Sequence, residues 1–305
     1  MNAESDLART VLARCLTPDP ADFFEPFEEW TGRSSPLSSV VEAFRSNLRA
    51  ARLVGALPYQ LINSGVRQRR FDGLVVANLI ESGAQPDSEV YSEQQEQACR
   101  HANEAMQQLD TEIINQTLHR LDYSLKSPTF SGTLHELLRQ VLVMTWGALE
   151  VVSNDLGVVI LNKRPALARV VTDLESYKRA ASVKGIPIVT LEEFNFDVSE
   201  SMGDIIFSMT RLDTLPSIMD FYNAVASNAA LQKSLKSSTL WMLAQRRHLI
   251  VHRRGIVDSQ YLQKTSDSQP LGTLIEIPAT EIANSLVEVR NVGLLIADCA
   301  SVFFE

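Results

Sequence analysis

Residues 239–258 read Thr-Leu-Trp-Met-Leu-Ala-Gln-Arg-Arg-His-Leu-Ile-Val-His-Arg-Arg-Gly-Ile-Val-Asp, with four arginines and two histidines. No other segment concentrates potential chemistry in this way. A histidine takes or gives a proton near neutral pH. An arginine holds a phosphate and stabilises the charge that builds on it in a transition state. Side by side, they suit acid–base chemistry on a phosphodiester. His248 and His252 are four apart and share a helical face. A metal site needs a third ligand, and none stands at a recognisable spacing. The plain structural reading keeps the arginines at the helix C-terminus, against its dipole, and packs the histidines.

Position on the helix sharpens the question. The expected apolar stripe runs Leu240, Leu243, Ala244, Ile250 and Val251, with Arg247 in its middle. A guanidinium on a core-facing line must find a carboxylate, a backbone acceptor or an anionic ligand. Arg247 and His252 are five apart, about 140° around an ideal helix. They do not form a tight pair on one face. Near a helix end, or across a two-fold interface, their functional groups can converge.

The elements that must position these residues are helical. Leu, Ala, Glu, Gln and Arg are plentiful while glycine and proline are scarce, which favours helix over sheet. The active helix is expected over Thr239–Arg254, with Gly255 as its C′ residue. A strongly apolar helix is marked by Leu134, Leu137, Leu138, Val141, Leu142, Leu149 and Val152 and should be central. Glu150 lies in it and needs a cation or hydrogen-bond partner; Arg247 is the guessed one. A break is expected at Asn154–Gly157, and a loop at Lys184–Pro187. Residues 260–278 read as a hairpin-like excursion with extended pieces Tyr261–Leu262 and Thr273–Ile277. A last helix follows Thr280, with the stripe Ile282, Leu286, Val289, Val292, Ile296, Cys299 and Phe303.

The first part of the chain carries less chemistry. Helices are expected over 5–16, over Ser38–Asn63 with a kink or restart at Pro58, and over Ser92–Tyr123. Between the first two, residues 17–36 mix four prolines and five acids with Phe23, Phe24, Phe27 and Trp30. This is either an ordered loop with packed aromatics or an acidic-aromatic recognition segment. Arg67, Arg69 and Arg70 precede Phe71-Asp72-Gly73, a turn signal. Residues 74–82 read as a short buried helix or strand. His101 and His119 have no partner at ligand spacing. Residues 125–132 look like a boundary. The expected organisation is a helical N-terminal region, 1–125, and a helical domain, 130–305, in a mainly all-α chain.

Composition bounds the partners. A chain of 305 residues, 45% apolar, can bury a sizeable core. Its net charge of −9 argues against a nonspecific nucleic-acid coat, so any such contact must be local. Cys15, Cys99 and Cys299 are odd in number and far apart, against a disulfide framework. Met1–Asp6 is not a signal peptide and the apolar runs look too short to span a bilayer, so a cytoplasmic protein without a membrane is expected.

Arg-His-Leu-Ile-Val-His, 247–252, resembles the signature of the HEPN superfamily: an arginine, a polar residue, a short spacer and a histidine. The continuation to Gly255 and Asp258 is similar to HEPN domains of the ribonuclease L and prokaryotic defence group. The resemblance covers about residues 130–305. It implies an all-α domain with a short β excursion, often a homodimer with a composite site. It also implies a metal-independent endoribonuclease that needs no cofactor, acting as a toxin or effector in bacterial defence or stress. His252 would be the acid–base residue, Arg247 would hold the phosphate and His248 would set local geometry. Arg246, Arg253 and Arg254 would contact the RNA backbone, or else serve as solvated helix-end charges. A regulatory protein or antitoxin is a further implied partner. The alternative is a noncatalytic helical module of the same fold that binds a partner or ligand.

Overall fold

The computed structural model describes residues 3–18, 21–30, 36–181, 186–226 and 228–304. The chain is mainly helical, and among the described residues the only β pairing is one antiparallel bridge, Ile256 to Leu274. The helices are α1 (Ala3–Leu12), α2 (Pro36–Glu81), α3 (Tyr91–Gln107), α4 (Asp110–Leu125), α5 (Pro128–Lys163), α6 (Ala168–Thr172) and α7 (Glu175–Ala181). They continue as α8 (Ile188–Glu193), α9 (Met202–Met209), α10 (Leu215–Val225), α11 (Ala229–Leu235), α12 (Ser238–Arg253), α13 (Ser259–Thr265) and α14 (Ala279–Ser301).

Two compact units divide the chain, and both draw on α2 and α5. The first takes residues 1–18, 53–137 and 278–280. In it α1 packs on α4 through a core of Val11, Cys15, Tyr59, Leu118, Leu121, Leu125 and Leu134. The turn between α4 and α5, where the composition changes, lies inside this unit. Phe71-Asp72-Gly73 does not turn the chain: α2 runs straight through it and through Pro58. Its far part, 74–82, is a partly exposed helix and not a buried element. Arg67 pairs with Asp110 at 2.7 Å and Arg70 with Glu112 at 3.3 Å, which holds this part of α2 beside α4.

The second unit takes residues 19–52, 138–277 and 281–305 and contains the arginine–histidine stretch. Its core gathers Phe44, Leu142, Trp146, Leu149, Leu156, Ile160, Phe221, Tyr222, Leu243, Val289, Val292 and Ile296, all buried. The expected stripe of α14 faces inward from Ile282 to Cys299. Asn154–Gly157 does not break α5; the Asn154 side chain instead bonds Leu212, its Oδ1 accepting from the Leu212 N–H at 2.9 Å. The buried Tyr222 hydroxyl donates to Ser153 O at 2.7 Å. Of the aromatic stretch, Phe23, Phe27 and Trp30 are buried, and the Arg52 and Arg290 guanidiniums stack on the Phe23 ring at 4.4 and 4.9 Å from its centroid. Those aromatics pack on the core, so they are not a free recognition surface.

Two other expectations change. Tyr261–Leu262 is helical, in α13, so the excursion is a helix followed by an extended return. The return, Thr273–Ile275, pairs with Gly255–Val257: the Val257 N–H donates to Thr273 O at 2.9 Å and the Ile275 N–H to Gly255 O at 2.8 Å. Lys184 and Gly185 of the expected loop lie outside the described residues. Finally, α5 is long and apolar enough by length and composition to cross a membrane, contrary to the sequence expectation, although half of its most apolar window is buried within the protein.

Candidate active site on helix α12

Helix α12 starts at a serine cap: the Leu240 N–H donates to Ser237 Oγ at 3.2 Å. Its buried face is Leu240, Leu243, Arg246 and Leu249. The spacing of three turns the inward line onto Arg246, one residue before the arginine that the sequence singled out. Arg246 is 6% exposed. Its Nη2 lies 3.1 Å from Asp267 Oδ2, its Nε donates to the Tyr261 hydroxyl at 3.1 Å, and its Nη1 faces Glu281 Oε1 in a close ion pair. Tyr261 in turn donates to Asp267 at 2.6 Å. Burial alone would lower the Arg246 pKa, but the bonds to Glu281 and Tyr261 outweigh it and raise it. Arg246 therefore ties α12 to α13 and α14, and its side chain is not available to an RNA backbone.

The helix ends where backbone geometry requires. Arg254 (φ 55°) and Gly255 (φ 74°) are both left-handed, and the Gly255 N–H donates to Leu249 O at 3.1 Å. A side chain at Gly255 would meet Leu274, Arg139 and Ile275. Arg139, buried on α5, donates from Nη1 to Ile275 O at 3.1 Å and so braces the return strand. Asp258 caps α13, accepting from the Tyr261 N–H at 2.7 Å, and lies 3.5 Å from Arg253 Nε. Gly255 and Asp258 thus shape the turn after α12. Arg253 and Arg254 are exposed.

The remaining site residues face outward. Arg247 Nη2 lies 3.7 Å from Glu150 Oε2, so the acid on α5 does answer the arginine on α12. Burial raises the Glu150 pKa, Arg247 opposes that, and Asp213 adds to it. His248 and His252 are exposed, one turn apart, with ring centroids 4.7 Å apart. Partial burial, then the neighbouring His252, Lys264, Arg247 and Arg253, lowers the His248 pKa and favours the neutral imidazole.

Beside this row lies a cleft of about 620 Å³. Arg247, His248 and Trp241 of α12 line it with Trp146 of α5, Lys264 of α13, Arg211, and residues 213–217, 219 and 220. His252 does not line it. Nothing in the spacing of Arg211, Lys264, Trp241 and Trp146 points to a shared site, because only the packing of separate elements brings them to one cleft. No family model, curated protein or solved structure matches the chain.

Proposed function

We propose that the chain is a metal-independent endoribonuclease of HEPN type. The observation that carries this reading is the solvent-facing row Arg247–His248–His252 on one helix, with adjacent imidazoles and a partly cationic cleft at its side. The reaction is attack of a ribose 2′-hydroxyl on the adjacent phosphorus. An imidazole accepts the 2′ proton, the bond from phosphorus to the 5′ oxygen breaks, and that oxygen takes up a proton. The products are a 2′,3′-cyclic phosphate and a 5′-hydroxyl. His252 is the acid–base residue in this scheme. Arg247, placed by Glu150, holds the non-bridging oxygens, and His248 positions its neighbour.

One histidine cannot serve both protons at once, and His252 stands outside the cleft. A homodimer that presents two copies of α12 around a two-fold axis supplies the second imidazole. The defence or stress role, a cytoplasmic setting and a regulatory antitoxin rest on the family resemblance alone. The position of His252 outside the cleft also favours a second reading, a noncatalytic helical module that uses the cleft to bind a ligand.

The test is product chemistry. Purified protein with end-labelled RNA in EDTA should leave 2′,3′-cyclic phosphate and 5′-hydroxyl ends, and should not cut the same sequence made with 2′-O-methyl ribose. Cleavage of the 2′-O-methyl strand, or 3′-hydroxyl ends, would rule out this chemistry.

A further inference from the structure

We propose that the cleft beside α12 is a nucleotide pocket, in which one unstacked base lies on the Trp241 indole and the phosphate sits among Arg211, Arg247 and Lys264. The idea that the nucleotide belongs to an RNA chain rests on the ribonuclease reading; the pocket itself rests on its own residues.

The cleft, about 620 Å³, is within the range of small-molecule sites, roughly 300–1,000 Å³. Trp241 is 37% exposed and presents an aromatic surface in its wall. Among the described residues neither Arg211 nor Lys264 has an ion-pair partner, and both are exposed. Around this cleft Arg211, Arg247 and Lys264 outnumber the two lining carboxylates, Asp213 and Asp220, in a chain that is −9 overall, although Arg247 is paired with Glu150.

A further feature favours a nucleotide over a bare anion. Asp213 and Asp220 share the wall, where they can accept hydrogen bonds from base N–H groups or ribose hydroxyls, which a bare anion does not offer.

The nucleotide has two sources, a residue of the RNA beside the scissile phosphate or a free nucleotide. The experiment uses His252→Ala protein in EDTA, so that cleavage does not enter. AMP and GMP are titrated by calorimetry, then again with Trp241→Ala, Trp241→Phe or Lys264→Ala added, each checked for fold by circular dichroism. Saturable binding is expected, weakened roughly tenfold by Trp241→Ala and largely kept by Trp241→Phe, which retains a stacking face. A 2′-O-methyl oligoribonucleotide that displaces the mononucleotide assigns the pocket to the RNA chain; failure to displace it assigns the pocket to a free nucleotide. No binding at millimolar nucleotide, or affinity unchanged in both Trp241→Ala and Lys264→Ala, overturns the pocket whatever the ribonuclease assay gives. Nucleotide binding without RNA cleavage keeps the pocket and removes the ribonuclease reading.

Discussion

His248 and His252 face each other across one turn of α12, with ring centroids 4.7 Å apart. Partial burial of the His248 ring disfavours its charged form, and the nearby His252, Lys264, Arg247 and Arg253 add to that cost. His248 is therefore expected to titrate below the usual imidazole value of 6.5. Its depressed folded-state pKa contributes stability that is present above the unfolded value and is lost as pH falls through the folded value. An NMR titration of the His248 ring should give a midpoint below 6.5 that rises in His252→Ala. A midpoint at or above that value would contradict the electrostatic picture.

Arg246 and Arg247 are adjacent in sequence and opposite in fate. Removing Arg246 leaves Asp267 and Glu281 without their cation in a buried setting. Arg246→Ala should cost about 3–5 kcal/mol. Arg253→Ala, which breaks an exposed 3.5 Å pair with Asp258, should cost less than about 1 kcal/mol. Denaturant unfolding of the two variants checks the contrast; equal losses would mean that the Arg246 network is not structural.

Much of this was legible in the sequence, and the failures share a cause. The spacing in α14 predicts its buried stripe, and Glu150, an acid on an apolar helix, calls for a cation, which Arg247 supplies at 3.7 Å. Arg246 is expected either at an RNA backbone or as a solvated helix-end charge; adjacent arginines point about 100° apart, and the sequence does not say which one meets Asp267 and Glu281. Phe71-Asp72-Gly73 and Asn154–Gly157 carry turn residues, yet α2 and α5 continue through them, as tertiary packing overrides local preference. Tyr261 was read as a strand residue; the Asp258 cap makes it helical. The cleft could not be read at all, since its residues are drawn from far apart in the chain.

Glu150 carries a prediction with a definite sign. Its folded-state pKa is raised, chiefly by burial, so its contribution to stability is present below the unfolded value and lost as pH rises through the folded one. Glu150→Gln should therefore leave thermal stability at neutral pH unchanged within about 1 kcal/mol, or slightly increased, while RNA cleavage falls because Arg247 loses its placement. A loss of stability well beyond that would identify the pair with Arg247 as a structural ion pair.

Gly203 tests the packing behind the site. A Cβ there would collide with the backbone of Val158, including its carbonyl oxygen, where α9 crosses α5. Backbone cannot move aside as a flexible side chain can. Gly203→Ala should destabilise by about 1–3 kcal/mol, seen as a lower unfolding midpoint. Gly147→Ala, inside α5 with open space around it, is the control and should be neutral or stabilise by up to about 1 kcal/mol. Equal effects would show that α9 does not pack closely on α5.

The most direct test of the central claim is RNA cleavage in EDTA by wild-type, Arg247→Ala and His252→Ala proteins purified side by side. The account predicts cleavage by the wild type and a loss of about 10²–10⁴-fold in each variant, with folding unchanged because both side chains lie at the surface or its edge. Equal cleavage by all three proteins would contradict it.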